Sequence, residues 1–101
     1  MSMQTDVLAS VPLTNTGQFT NQTPTALGRT RVKAVYMIPT GTGGSVIFKN
    51  GGSGGTVVMT LNTGASATQP TYLLFAGEGI LFSSNVHGTV TNVTSATIFY
   101  G

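Results

Sequence analysis

The sequence predicts an all-β fold, a jelly-roll-like sandwich of two sheets, on three observations. Eighteen threonines and 14 glycines dominate a chain of 101 residues; β-branched threonine is stiff at χ1 and suits a pleated surface, and glycine suits the turns between strands. Strand-length apolar segments recur between Gly- and Pro-rich turn signals at roughly eight- to twelve-residue spacing. No apolar spacing of helical period runs longer than a turn.

Residues 1–28 are rich in Thr, Asn and Gln, with apolar anchors at Val7, Leu8, Val11, Leu13, Phe19 and Leu27. They read as a short strand near 5–9 followed by an extended N-terminal arm or edge strand, ahead of a single core domain over 29–101. Residues 29–38 alternate, with Val32, Ala34, Tyr36 and Ile38 expected on one face and Arg29, Arg31 and Lys33 on the other. Pro39 and the run Gly41, Thr42, Gly43, Gly44 end that strand. Residues 45–49 and 56–61 flank Asn50, Gly51, Gly52, Ser53, Gly54 and Gly55, the signature of a hairpin whose glycines supply positive φ. A polar loop runs through Pro70. Residues 72–75 and 80–82, separated by Ala76, Gly77, Glu78 and Gly79, suggest a second hairpin. Residues 86–92 alternate again, with Val86 and Val90 opposed to His87, Thr89 and Thr91, and 96–100 form the last strand. The total is about eight short strands, the pattern of a two-sheet sandwich.

Several of these strands are apolar on both faces: Val57, Val58, Met59; Leu73, Leu74, Phe75; Ile80, Leu81, Phe82; and Ile98, Phe99, Tyr100. A monomer rarely exposes apolar patches beyond about 300–600 Å². Val58, Leu74, Leu81 and Phe99 are therefore the candidate oligomer-interface residues, and a homo-oligomer, a trimer by expectation, is the candidate assembly. The competing reading places some of them under loops or in a barrel-like corner.

Charged residues make up 6% of the chain, against about 25% in an ordinary soluble domain, and the mean hydropathy is +0.24. The net charge of +2 rests on four cations and two acids, a weak basis for nucleic-acid binding. Cysteine is absent, so stability has to come from packing or association. The N-terminus lacks the pattern of a secretory signal and no stretch approaches the ~18 apolar residues of a membrane span, which favours assembly in a cytoplasm away from membranes.

Catalysis is not expected. One histidine, His87, and two carboxylates, Asp6 and Glu78, do not furnish a zinc or calcium ligand set, and no motif orients a Ser–His–acid triad. No cofactor is implied, since the glycine runs lack the Gly-Lys-Ser/Thr of a phosphate loop. His87 reads as a hydrogen-bonded surface or interface residue. Glu78 reads as a turn carboxylate, with pairing to a neighbouring copy's cations as the alternative. Asn21, Gln22, Thr23 and Asn92, Val93, Thr94 match glycosylation sequons that so Thr-rich a chain produces by chance.

Three of the four cations, Arg29, Arg31 and Lys33, are spaced two apart on one strand. Such a row is a candidate partner-docking stripe, with a solvated edge that discourages strand-to-strand aggregation as the plainer alternative. Nucleic acid is the lesser candidate partner, because no second basic strand or aromatic platform accompanies the stripe.

The run from Gly28 to Tyr36 (GRTRVKAVY), the Gly-rich hairpin after Val46, Ile47, Phe48, Lys49, the pair Leu73, Leu74 before Gly77, Glu78, Gly79, Ile80, Leu81, Phe82, and the closing Ile98, Phe99, Tyr100, Gly101 resemble small virion-associated proteins of marine, T7-like tailed phages. The resemblance spans roughly residues 28–101 and rests on packing and turn residues. It implies a structural component of a virion, a capsid cement or decoration protein contacting the major capsid or tail protein, and carries over no catalytic residue. Two other functions fit the composition: a fibre or host-adhesion module that binds carbohydrate, and a small barrel that binds single-stranded nucleic acid. The absence of tryptophan weighs against the first and the sparse charge against the second.

Overall fold

The computed structural model describes residues 8–23, 25, 27–64, 69–75, 77 and 79–101. Asp6, Glu78, the start of the strand expected near 5–9 and part of the loop expected before Pro70 lie outside the described residues. The chain is all-β: β1 (Leu8–Ala9), β2 (Gly17–Gln18), β3 (Thr30–Pro39), β4 (Ser45–Asn50), β5 (Thr56–Asn62), β6 (Thr71–Leu74), β7 (Ile80–Phe82), β8 (Val86–Thr91) and β9 (Val93–Tyr100). Two antiparallel sheets result. Sheet A has the order β1-β9-β3-β6, with β7 also on β3, and sheet B the order β2-β8-β4-β5.

One long ribbon generates this arrangement. Its first strand is β3 followed by β4, and its second is β8 followed by β9; β3 pairs with β9 in sheet A, and β4 with β8 in sheet B. The ribbon bends from one sheet to the other at residues 40–44 and at Asn92, which is the jelly-roll wrap. Asn92 takes the left-handed φ of 51° that only Asn, Asp and Gly visit readily. Its amide donates to the Gly43 carbonyl at 3.2 Å, and Thr40 Oγ1 donates to the Asn92 carbonyl at 3.1 Å. Gly44 cannot be replaced at this corner, because a Cβ there would lie 2.3 Å from the Thr91 carbonyl oxygen.

The core lies between the sheets. The Phe48 ring stacks on Phe19 at 5.5 Å and meets Phe82 edge to face at 6.4 Å, with Val32, Val35, Met37, Val46, Val86 and Ile98 buried around them. Room for Phe19 comes from Gly88, whose added Cβ would sit 2.9 Å from both the Phe19 ring and Leu13 Cδ2.

Three expectations change. First, the alternation of β3 shifts phase. The register runs Val32↔Tyr100 and then Ala34↔Phe99, so Lys33 is the extra residue of a β-bulge. Beyond it Val35 and Met37 are buried while Tyr36 and Ile38 are only half-buried, so Tyr36 and Ile38 do not share the inner face of Val32. Second, β6 and β7 are not a hairpin. Both run antiparallel to β3, β6 opposite residues 34–37 and β7 opposite 30–32. They form one strand interrupted where β3 bulges, and Phe75 N–H still reaches the Lys33 carbonyl at 2.9 Å. Third, of the arm and the edge strand considered for the N-terminal residues, the described part forms edges. β1 pairs with β9 and β2 with β8, and Phe19 and Leu27 are core residues. The buried Ser10 exchanges bonds with Ile98 through its N–H and its Oγ.

Candidate docking surface

The outer face of sheet A follows from its register. Residues directly opposite in a ladder share a face, so the pairs Ala34↔Leu74, Tyr36↔Tyr72, Tyr36↔Thr97 and Ala34↔Phe99 place these side chains together, pointing away from the core. Leu74 is 73% exposed and Tyr72 57%. Ala34 is the small residue between two larger ladder partners. Across it the rings of Tyr72 and Phe99 meet edge to face at 6.1 Å, and Ala34 is buried despite facing outward. Leu81, 37% exposed, extends the apolar surface toward the start of β3.

Cations border this surface. Arg31 lies opposite Leu81, Lys33 occupies the bulge, and the exposed Arg29 precedes the strand. Arg31 and Lys33 alternate with the buried Thr30 and Val32, so both point outward. The bulge breaks the straight row expected of the three cations and turns Lys33 and Ala34 to the same side. The result is an apolar sheet face bordered by positive charge at one end.

The four residues expected at an oligomer interface do not form one patch. Leu74, Leu81 and Phe99 belong to the outer face of sheet A. Val58 belongs to sheet B, where it sits at a second bulge between the pairs Phe48↔Met59 and Lys49↔Val57; Val58 is 36% exposed and Val57 54%.

His87 lies on the outer face of sheet B, opposite Lys49 on one side and Gln18 on the other. It is buried, and its Nδ1 has no hydrogen-bond partner among the described residues. Desolvation by burial, and secondarily the Lys49 ammonium, push its pKa below the usual histidine value. Lys49 itself donates to the Ser53 carbonyl at 3.0 Å and so closes the hairpin loop.

The sequon asparagines have structural work. Asn21 Oδ1 accepts from the backbone N–H of Thr23 and Thr25 and from Thr23 Oγ1, and Asn92 holds the ribbon corner. A further polar hub escaped the sequence reading. Asn50 donates to Ser83 Oγ and accepts from the N–H of Ser84, fastening the β4–β5 hairpin to the crossing into β8. An open cleft of about 450 Å³ beside the corner is lined by Gly43, Gly44, Ser45, Asn62, Thr63 and Thr91. It bears no charged group, and Thr63 Oγ1 is already bonded to the Gly44 backbone.

Comparison with protein families, curated proteins and solved structures finds no match for this chain.

Proposed function

We propose that this protein is a non-enzymatic structural component of a phage virion, a cement or decoration protein that seats the outer face of sheet A on an acidic surface of the assembled shell. The carrying observation is the juxtaposition on that face of exposed Tyr72, Leu74 and Leu81 with the cations Arg31 and Lys33, the exposed Arg29 standing just before the strand. Apolar side chains fixed on a rigid sheet lose little freedom on docking, and bordering cations orient the approach to a negative surface. A protein that binds the assembled shell and not its parts stabilises the shell by mass action, without chemistry. The resemblance to T7-like phage virion proteins supplies the class of partner.

Binding to purified particles of the encoding phage, followed by co-sedimentation, tests the proposal. Each rim cation contributes about 0.2–1 kcal/mol, so Arg29→Gln, Arg31→Gln and Lys33→Gln are combined. The triple variant is expected to fold as wild type and to bind particles several-fold more weakly, and wild-type binding is expected to fall with added salt. Unchanged binding by the triple variant across the salt range would refute the charged contact. Unchanged binding by Leu74→Ser as well would remove the face from the proposal.

A further inference from the structure

Four edges bound the two sheets, and three of them offer little to another strand. Among the described residues β1 and β2 are two residues long, and the edge formed by β6 and β7 is split, β6 ending at Leu74 and β7 beginning at Ile80. The fourth edge, β5, is seven residues long, carries neither charge nor proline, and pairs only with β4 among the described residues. Proteins usually blunt such an edge with lysine, proline or a bulge. Here the bulge at Val57 and Val58 protects one end only.

The ladder tells which groups face outward. Thr63 N–H donates to the Gly44 carbonyl at 2.9 Å, and the register continues through Ser45↔Asn62, Val46↔Leu61 and Ile47↔Thr60. Bonded and non-bonded pairs alternate in an antiparallel ladder. Leu61 therefore bonds to Val46, while Thr60 and Asn62 turn their N–H and C=O groups to the free edge. The far side of the sheet agrees, since Val90, the β8 partner of Val46, donates its N–H to Thr16 Oγ1 and not to β4.

We propose that this edge binds a second copy of the chain: two β5 strands pair antiparallel about a two-fold axis at Thr60, joining two four-stranded sheets into one. Pairing Thr60 with its symmetry mate gives partners to N–H and C=O groups that face the edge, and Asn62, whose groups also face outward, falls opposite the bulge residue Val58 of the second copy. Charge favours the self-pairing. No ionisable side chain lies on β5, and the nearest cation, Lys49, sits opposite Val57 at one end. The two-fold sends the two Lys49 residues to opposite ends of the new ladder, about 20 Å apart at ~3.4 Å per residue and beyond the ~8 Å screening length. The inference does not rest on the docking proposal, because it uses the other sheet, and it replaces the expected trimer with a two-fold dimer.

Light scattering coupled to size exclusion, from micromolar to submillimolar protein, is the test, with circular dichroism verifying the fold. Wild type is expected at about twice the 10.4 kDa of the monomer. Thr60→Pro removes an N–H that points away from β4, a position where an edge strand tolerates proline, and is expected to be monomeric. Thr60→Lys places two cations on the axis and is expected to be monomeric too, and mixing it with Thr60→Glu restores the dimer. A wild-type monomer at every concentration, a trimer, or a dimer that persists in folded Thr60→Lys overturns the proposal. The Lys and Glu pair carries the test if the proline variant does not fold.

Discussion

His87 is the one histidine in a chain that carries four cations and two acids. It lies on the outer face of sheet B between Gln18 and Lys49, Lys49 being the charged group that faces it among the described residues. Burial and Lys49 lower its folded-state pKa below the unfolded value of 6.5. The unfolded chain therefore binds the proton more readily. The stability tied to neutral His87 is fully present above the unfolded pKa and declines as pH falls from about 6.5 toward the lowered folded value, below which the curve flattens again. Denaturant unfolding between neutral pH and pH 5 should show this decline in wild type and lose it in His87→Gln. An equal decline in both proteins would place the pH dependence elsewhere.

At the scale of elements, the interrupted β6–β7 edge depends on Gly79. Its φ is +84°, and an added Cβ would stand 2.3 Å from the Val32 carbonyl oxygen. Both the left-handed backbone and the close approach exclude a side chain. Gly79→Ala should lower the unfolding free energy by about 1–3 kcal/mol, measured by denaturant titration. Gly77→Ala has the positive φ but no atom of a described residue within 4 Å of the added Cβ, and should cost less; equal losses would mean that the contact with β3 is not what Gly79 serves. The same elements show where sequence reading reached and where it stopped. Alternation located β3, and the glycine run located the β4–β5 hairpin, because both signals are local. The bulge at Lys33 was hidden because β3 is apolar at consecutive positions, Ala34 and Val35, so either phase of alternation fits until the partner β9 selects one. Gly77 and Gly79 read as a chain reversal because glycine marks positive φ without saying whether the chain turns back or bulges out. The docking surface was half legible for the same reason. Leu74, Leu81 and Phe99 stood out as surplus apolar residues, but only cross-strand pairing brings Tyr72 and Ala34 into their face and sends Val58 to the other sheet.

The whole molecule is held by contacts far apart in sequence, and its N-terminal segment is the clearest case. Phe19 is an isolated aromatic in a run of Thr, Asn and Gln, with no periodic neighbours to mark it as core. It is nevertheless 1% exposed and stacked on Phe48, in a space that Gly88 leaves open. Leu13 packs against the same core, its N–H donates to the Ala96 carbonyl at 2.7 Å, and Leu27 is buried beside them. The described part of residues 8–27 thus contributes to the core and supplies one edge strand of each sheet, which a detachable arm would not do. In a small domain whose total stability is about 5–15 kcal/mol, losing one buried phenylalanine costs about 3–5 kcal/mol, and losing Leu13 and Leu27 with it approaches the whole. A chain beginning at Gly28 is therefore expected to show no cooperative thermal transition by circular dichroism, and Phe19→Ala in the full chain is expected to melt cooperatively at a much lower temperature. If the shortened chain melts cooperatively near the wild-type midpoint, the N-terminal segment is an appendage after all, and the core closes without Phe19.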